Sequence, residues 1–552
     1  MRASTVSLGV IGLLGTSVNA ISRLDGRVSE QLLRSGPPQI GLFQALLAQQ
    51  TEDDARVALH QNSAQKPLQV VKPTYEAHCF PQLKTHFNDE DKSTFCQRYW
   101  VDASNYKEGG PVFVLDGGET DGANRIPFLE KGILQILANA TGGLSIVLEH
   151  RYYGESIFVD SLTTDNLRWL NNEEALEDSA YFIENFKLPK SVLDVEADAL
   201  SPKKTPWIYY GGSYAGARAA HMRVQYPHLV WGAIASSGVT HAQVEYSEYF
   251  QPIQKYGPVD CISALSDAIT AVDSILDIGG PAAHALKSLF GLAELSDDQD
   301  FASLLSTPLG FWQGQNWDPK VGTDGFENFC AALLEPSLPI LGKYGRIPSA
   351  VVNLAKYIRE NIVSRCPRTP GNPASDIEEC FGTQNATKYL NTDLDQEWRL
   401  WEFQVCTQWG YFQFAPAEGP RIVSKRVDLE YASKPCRLAY PPGEHFTVPA
   451  APDVESVNAR GDFAIEMDRL AFIDGDRDPW RPATPGSDLA PKRKSTVNKP
   501  VHLIYNGIHH YDENGLSDHD KEPARIRDIH ELEKNFISEW VAHFHDEKAK
   551  TA

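Results

Sequence analysis

Beyond its first twenty residues, this 552-residue chain has no apolar run that approaches the roughly 18 residues a membrane-spanning helix needs. A helical membrane protein is therefore excluded, and a soluble mature protein is expected. Positive charge is in short supply: 51 Lys and Arg stand against 73 Asp and Glu, a formal net charge of −22 at pH 7. An acidic surface repels nucleic acid and anionic lipid, so neither is an expected partner. The basic cluster Lys492-Arg493-Lys494 sits among prolines and reads as a solvated loop. CxxC pairs and HExxH helices are missing, which argues against a zinc site. Asp474, Asp476 and Asp478 alternate as at the start of a calcium loop, but Pro479 and Pro485 occupy the positions where that loop needs Gly and Glu. No metal or cofactor is expected, and no internal repeat is present.

What the chain does contain points to export. Met1-Arg2, a mostly apolar stretch from Val6 to Val18 and the small residues before Ala20 read as a signal peptide over residues 1–20. The eight cysteines fit an oxidising compartment. Close spacing suggests Cys79–Cys96, Cys366–Cys380 and Cys406–Cys436, which leaves Cys261–Cys330. Asn139-Ala-Thr141 and Asn385-Ala-Thr387 are glycosylation acceptors, at Asn139 and Asn385. The length suggests two units. Residues 21–74 are polar and read as a pro-segment or mobile arm. Residues 75–244, with 464–552, alternate short apolar runs with helical patterns, as a mostly parallel α/β sheet demands. Between them, residues 245–463 change period: Leu265, Ile269, Val272 and Leu276 recur at helical spacing, as do Val351, Leu354, Ile358 and Ile362. A helical cap inserted into an α/β-hydrolase fold is the expected architecture.

The most informative string is Trp207-Ile-Tyr-Tyr-Gly-Gly-Ser213-Tyr-Ala-Gly-Ala-Arg-Ala-Ala-His221. A β-branched and aromatic run enters a serine flanked by tiny residues, and a small-residue helix leaves it. That is the form of a nucleophile elbow, where a sharp strand-to-helix turn exposes a serine hydroxyl. Ser213 is a poor nucleophile until an imidazole takes its proton, and that imidazole needs a buried carboxylate to fix its tautomer. Two later segments supply such groups in the order acid, then histidine. Leu470-Ala-Phe-Ile473 reads as a strand running into Asp474-Gly-Asp-Arg-Asp478-Pro-Trp480. Val501-His-Leu-Ile-Tyr505 reads as another running into Asn506-Gly-Ile-His509-His510. These positions, past the carboxyl ends of strands, are where an open α/β sheet builds its site. The spacing does not choose among the three acids or between the two histidines. For the developing oxyanion, the backbone N–H of Tyr214 is one expected donor, and Gly118 in Asp116-Gly-Gly-Glu119 is the other.

Glu149-His-Arg-Tyr-Tyr-Gly154, Gly211-Gly-Ser-Tyr-Ala-Gly216, Asp478-Pro-Trp480 and His509-His-Tyr-Asp512 together resemble the prolyl carboxypeptidase and dipeptidyl peptidase II family of serine peptidases. The likeness is greatest to its fungal secreted proline-specific members. Phe95-Cys-Gln-Arg-Tyr-Trp100 and the stretch from Trp401 to Gln413 extend the resemblance, which runs from about His78 to the last helix. It implies Ser213 as nucleophile, Asp478 as orienting acid and His509 as base. It also implies cleavage of peptides after proline, outside the cell or in an acidic vacuole-like compartment. The chain departs from the family pattern at Gly238-Val239, where Ala-Pro is usual, and at Ile473-Asp474-Gly475, where Asn usually precedes the glycine.

A proline ring needs an apolar slot, for which Trp480, Trp401 and Trp409 are candidate walls. The cleavage mode stays open. A carboxypeptidase needs a cation for the terminal carboxylate, such as Arg151 or Arg218. A dipeptidyl peptidase needs an anion for the terminal amine, such as Glu119 or Glu149. An endopeptidase needs neither. A lipase or esterase on the same fold is the rival of another class, though Asp116-Gly-Gly-Glu119 is not the HGGG-type loop such enzymes carry. A monomer and a homodimer are equally compatible with the sequence.

Overall fold

The computed structural model describes residues 75–196, 198–342, 345–366 and 373–551. The expected signal peptide and the 21–74 arm lie outside them. Eight strands form one sheet: β1 (His78–Leu83), β2 (Thr94–Asp102), β3 (Val112–Asp116), β4 (Leu144–Leu148), β5 (Trp207–Gly212), β6 (Gly232–Ser236), β7 (Leu470–Gly475) and β8 (Val501–Ile504). Their spatial order is β1-β2-β4-β3-β5-β6-β7-β8. β2 runs antiparallel to β1 and β4, and the remaining neighbours are parallel. This is the α/β-hydrolase fold. The β1–β2 pair is not among the strands expected from sequence, because Pro81 interrupts the apolar pattern of β1. Proline is tolerated there since β1 is an edge strand.

The two-residue period of the strands sorts side chains onto two buried faces. Phe113, Leu115, Ile208 and Tyr210 join one apolar cluster with Leu134 and Leu137 of α1 (Ile133–Thr141) and with Ile529, Phe536 and Trp540 of α7 (Ala524–Thr551). Val112, Val114, Trp207 and Tyr209 join the other, with Leu176 and Phe182 of α2 (Asn172–Asn185) and Ala219 and Met222 of α3 (Tyr214–Gln225). The start of α2 is fixed by Asn171, whose side chain accepts from Glu174 N at 2.9 Å, a cap worth about 1 kcal/mol.

Between β6 and β7 the chain is mostly helical, with α4 (Val259–Ile278), α5 (Ser349–Asn361) and α6 (Trp398–Gln404) as its main pieces. The apolar residues at helical spacing in α4 and α5 are buried, and Ile362 is buried just past the end of α5. They belong to the same continuous cluster as the α1–α7 face of the sheet. A short parallel ladder pairs Gln243–Glu245 with Gly410–Phe412. Disulfides join Cys79–Cys96, Cys261–Cys330, Cys366–Cys380 and Cys406–Cys436, the pairing expected from spacing. No helix among the described residues is long and apolar enough to cross a membrane.

Candidate active site

Ser213 lies between β5 and α3 with φ 60° and ψ −123°, a conformation that costs about 1–3 kcal/mol and is held only by close packing. The packing explains the small residues around it. A Cβ on Gly211 would lie 2.0 Å from Ala215 O, and one on Gly216 would lie 2.8 Å from both Gly238 Cα and Ser236 O. Ser213 N donates to Ser236 O at 2.9 Å, which ties the turn to β6. Helix α3 begins at Tyr214, so the Tyr214 N–H has no acceptor within its helix and carries the positive end of the helix dipole.

The loops after β7 and β8 are bonded to each other. Asp476 N donates to Ile504 O (3.2 Å) and Arg477 N to Gly507 O (2.9 Å). Gly475 permits the contact, since a Cβ there would lie 2.1 Å from Ile508 O. This arrangement sets the fully buried Asp478 against His509, whose Nδ1 lies 2.9 and 3.0 Å from the two carboxylate oxygens. Trp480 N donates to Asp478 Oδ1 at 2.8 Å. Burial works against an ionised Asp478, but His509, the Ser237 hydroxyl and the Trp480 N–H outweigh it and hold its pKa below the usual value. Burial pushes the His509 imidazole down further than Asp478 raises it, and nearby His510 adds to the fall. His509 is thus biased toward the neutral form that a base requires.

The other two acids are placed differently. Asp474 is buried beside Gly486, with Oδ1 unbonded, and burial with the adjacent Asp478 charge raises its pKa to about 8. For the partly buried Asp476, burial is the main cause of a raised pKa. His510 pairs with Glu513 at 2.9 Å. Burial opposes charge on both groups, yet their mutual attraction holds His510 above and Glu513 below their ordinary values. Glu513 also explains Gly212, because a Cβ there would lie 2.1 Å from Glu513 Oε1.

Ser213, Tyr214, Glu119, Trp401, Trp480 and His509 all line one pocket, together with His510 and Glu513. Its apolar side is Val239, Trp401, Tyr411, Trp480 and Phe128. Trp480 is held by Nε1–H donation to Gln313 Oε1 (2.8 Å) and by stacking on Tyr246, with ring centroids 5.1 Å apart.

Several expected residues take other positions. Trp409 is fully buried, edge-on to Tyr214 at 5.0 Å, and backs the pocket without lining it. Gly118, expected as an oxyanion donor, gives its N–H to Asp116 Oδ1 at 3.0 Å. The arginines expected for a terminal carboxylate are buried in ion pairs, Arg151 with Asp178 (2.6 Å) and Arg218 with Asp116 (3.2 Å). Glu149, the other anion expected for a terminal amine, is paired with Arg98 at 2.6 Å. Sequence reasoning missed Arg125, Gln313 and Asn316, which line the pocket from loops with no periodic signal.

The family model described as serine carboxypeptidase S28 matches residues 82–529. A "Probable extracellular serine carboxypeptidase" of Arthroderma benhamiae is 37% identical, over 91% of this chain and 73% of its own length. "Serine protease vicPa" of Bipolaris victoriae is 29% identical over 86% of this chain and 90% of that one. "Thymus-specific serine protease" of Mus musculus is 29% identical over 77% and 80%. The matched span takes in β2 to β8 of the sheet, the elbow and the helices between β6 and β7, so the chain belongs to the serine carboxypeptidase S28 family and is a serine peptidase whose substrates are peptides or proteins.

Proposed function

We propose that this chain is a secreted serine carboxypeptidase that cleaves on the carboxyl side of proline through a Ser213–His509–Asp478 triad. The observation that carries this reading is the pocket shared by the strained Ser213 and by His509, whose other ring nitrogen is bonded to buried Asp478. Ser213 Oγ attacks the scissile carbonyl carbon while His509 Nε2 accepts its proton. Asp478 holds the Nδ1–H tautomer and stabilises the imidazolium. The Tyr214 N–H, with a second donor from the turn after β3, receives the oxyanion, each donor contributing roughly 10²–10³ in rate. His509 then protonates the leaving amine as the C–N bond breaks. A water, deprotonated by the same imidazole, hydrolyses the acyl-enzyme and restores the Ser213 hydroxyl.

The preference for proline is supported by the rigid apolar wall of Trp480, Tyr411 and Val239, which suits a pyrrolidine ring. The helical stretch 245–463 acts as a cap, with Gln313 to Asn316 forming part of the rim. Secretion is supported by the four disulfides and by the extracellular relative. Asn139 and Asn385 are exposed and are proposed as glycosylated; an unchanged mass after enzymatic deglycosylation would refute that.

The test uses N-blocked peptides with proline at varied positions. Wild type is expected to release the residue following a penultimate proline, and Ser213→Ala to lose at least about 10³ of kcat. Undiminished cleavage by Ser213→Ala sinks the triad. Release of N-terminal dipeptides, internal cuts alone or hydrolysis of long-chain esters only would assign another mode.

A further inference from the structure

The pocket holds a cation with no ion pair among the described residues. Arg125 ends the short turn Gly122–Arg125, which Asp121 caps by accepting from Ala123 N at 2.8 Å. Asp121 is itself held by Arg98 at 2.8 Å, so the turn is firmly seated. Arg125 donates Nε–H to Gly117 O at 3.1 Å and lies 6.0 Å from the Phe128 ring centroid. That bond fixes the plane of the guanidinium and leaves both terminal nitrogens for a ligand. One of them, Nη2, would lie 3.9 Å from a Cβ on Gly118, a point that is also 3.4 Å from Ala215 of the elbow helix. The Arg125 charge is felt by both His510 and Glu513. Arg125 is therefore bonded to the turn after β3 and lines the same pocket as Ser213, His510 and Glu513. Its contrast with the other arginines nearby is chemical: Arg98, Arg151 and Arg218 are each paired with carboxylates.

We propose that Arg125 is the residue that receives the C-terminal carboxylate of the substrate. A planar guanidinium with two free nitrogens matches a carboxylate in a bidentate fork. His510 and Glu513 neutralise each other across 2.9 Å, so Glu513 competes little for Arg125 and His510 competes little for the incoming anion. The carboxylate would lie one residue beyond the scissile bond, which restricts cleavage to the last residue of a chain. The preferred substrate is thus a peptide acid, and blocking its terminus removes the main anchor. This inference rests on the reading of Ser213 as the nucleophile.

The experiment compares an N-blocked tripeptide carrying a penultimate proline as the free acid and as the C-terminal amide. Wild type is expected to prefer the acid. Arg125→Gln is expected to lower kcat/KM on the acid at least about tenfold more than on the amide, mainly through KM. Arg125→Lys keeps the charge while losing the fork and the Gly117 bond, and should retain part of the preference. If Arg125→Gln fails to fold by thermal melting, the wild-type acid-to-amide ratio and Arg125→Lys still decide. Equal losses on both substrates, or a wild type indifferent to the terminus, overturn the assignment while the Ser213 reading stands. Release of N-terminal dipeptides from peptides with a free amine overturns it in favour of Glu119. Activity that survives Ser213→Ala overturns both.

Discussion

At the scale of single residues, burial sets the protonation states on which the site depends. His509 must be neutral to accept a proton, and burial lowers its pKa despite the opposing Asp478. Activity should therefore rise with pH through a value below the roughly 6.5 of a free imidazole. The acid limb of kcat/KM against pH measures it directly, and a limb above 7 contradicts the arrangement. Asp474 presents the opposite case. Its pKa is about 8 in the folded chain and near 3.9 when unfolded, so between those values the folded state holds the extra proton. Its contribution to stability is complete below about pH 4 and is lost as the pH climbs through 8. Asp474→Asn, which cannot ionise, should melt higher than wild type by a margin that widens from pH 4 to pH 8. A margin independent of pH would show that Asp474 is ionised in the folded protein. Which acid faces His509 was not readable from spacing. The choice depends on a chain reversal that places Asp478, and not Asp474, beside the imidazole.

Secondary elements bring these residues to one edge of the sheet. The turns after β3, β5, β7 and β8 all leave from the carboxyl ends of parallel strands, which is why an apolar run followed by glycine and a reactive residue was informative in the sequence. Those runs marked β5 and β8 to within a residue and β7 to within two. β1 was hidden by Pro81. Trp409 was misjudged for a related reason: an aromatic near a site has the same sequence signature whether it lines the pocket or supports a residue that does. A close contact between the acid and histidine loops is Gly475 against the Gly507–Ile508 backbone. Gly475→Ala should force the acid and histidine loops apart and cost at least about 10² in kcat, because sub-ångström displacement of a reacting pair is expensive. Wild-type kcat in a folded Gly475→Ala protein would show that the loops tolerate the separation.

Over the whole molecule, the helical stretch and one face of the sheet share one apolar cluster. Cys261–Cys330 links α4 to the following helices across a separation of 69 residues. Loop-closure arguments give that bridge about 4 kcal/mol, against about 3 kcal/mol for Cys366–Cys380 with its separation of 14. Replacing Cys261 and Cys330 with alanine should lower stability to denaturant more than replacing Cys366 and Cys380; the reverse order would show that loop closure does not set their contributions. Indole N–H groups also fasten the helical stretch to both catalytic loops, Trp312 to Arg477 O (2.9 Å) and Trp317 to Tyr511 O (2.8 Å). Bonds at these points oppose lifting of the proposed cap, each by about 1 kcal/mol, which disfavours bulky cargo. Loose strand ends are the expected substrates, so the proposed peptidase should trim frayed tails and digested fragments while a tightly folded protein in the same tube stays whole.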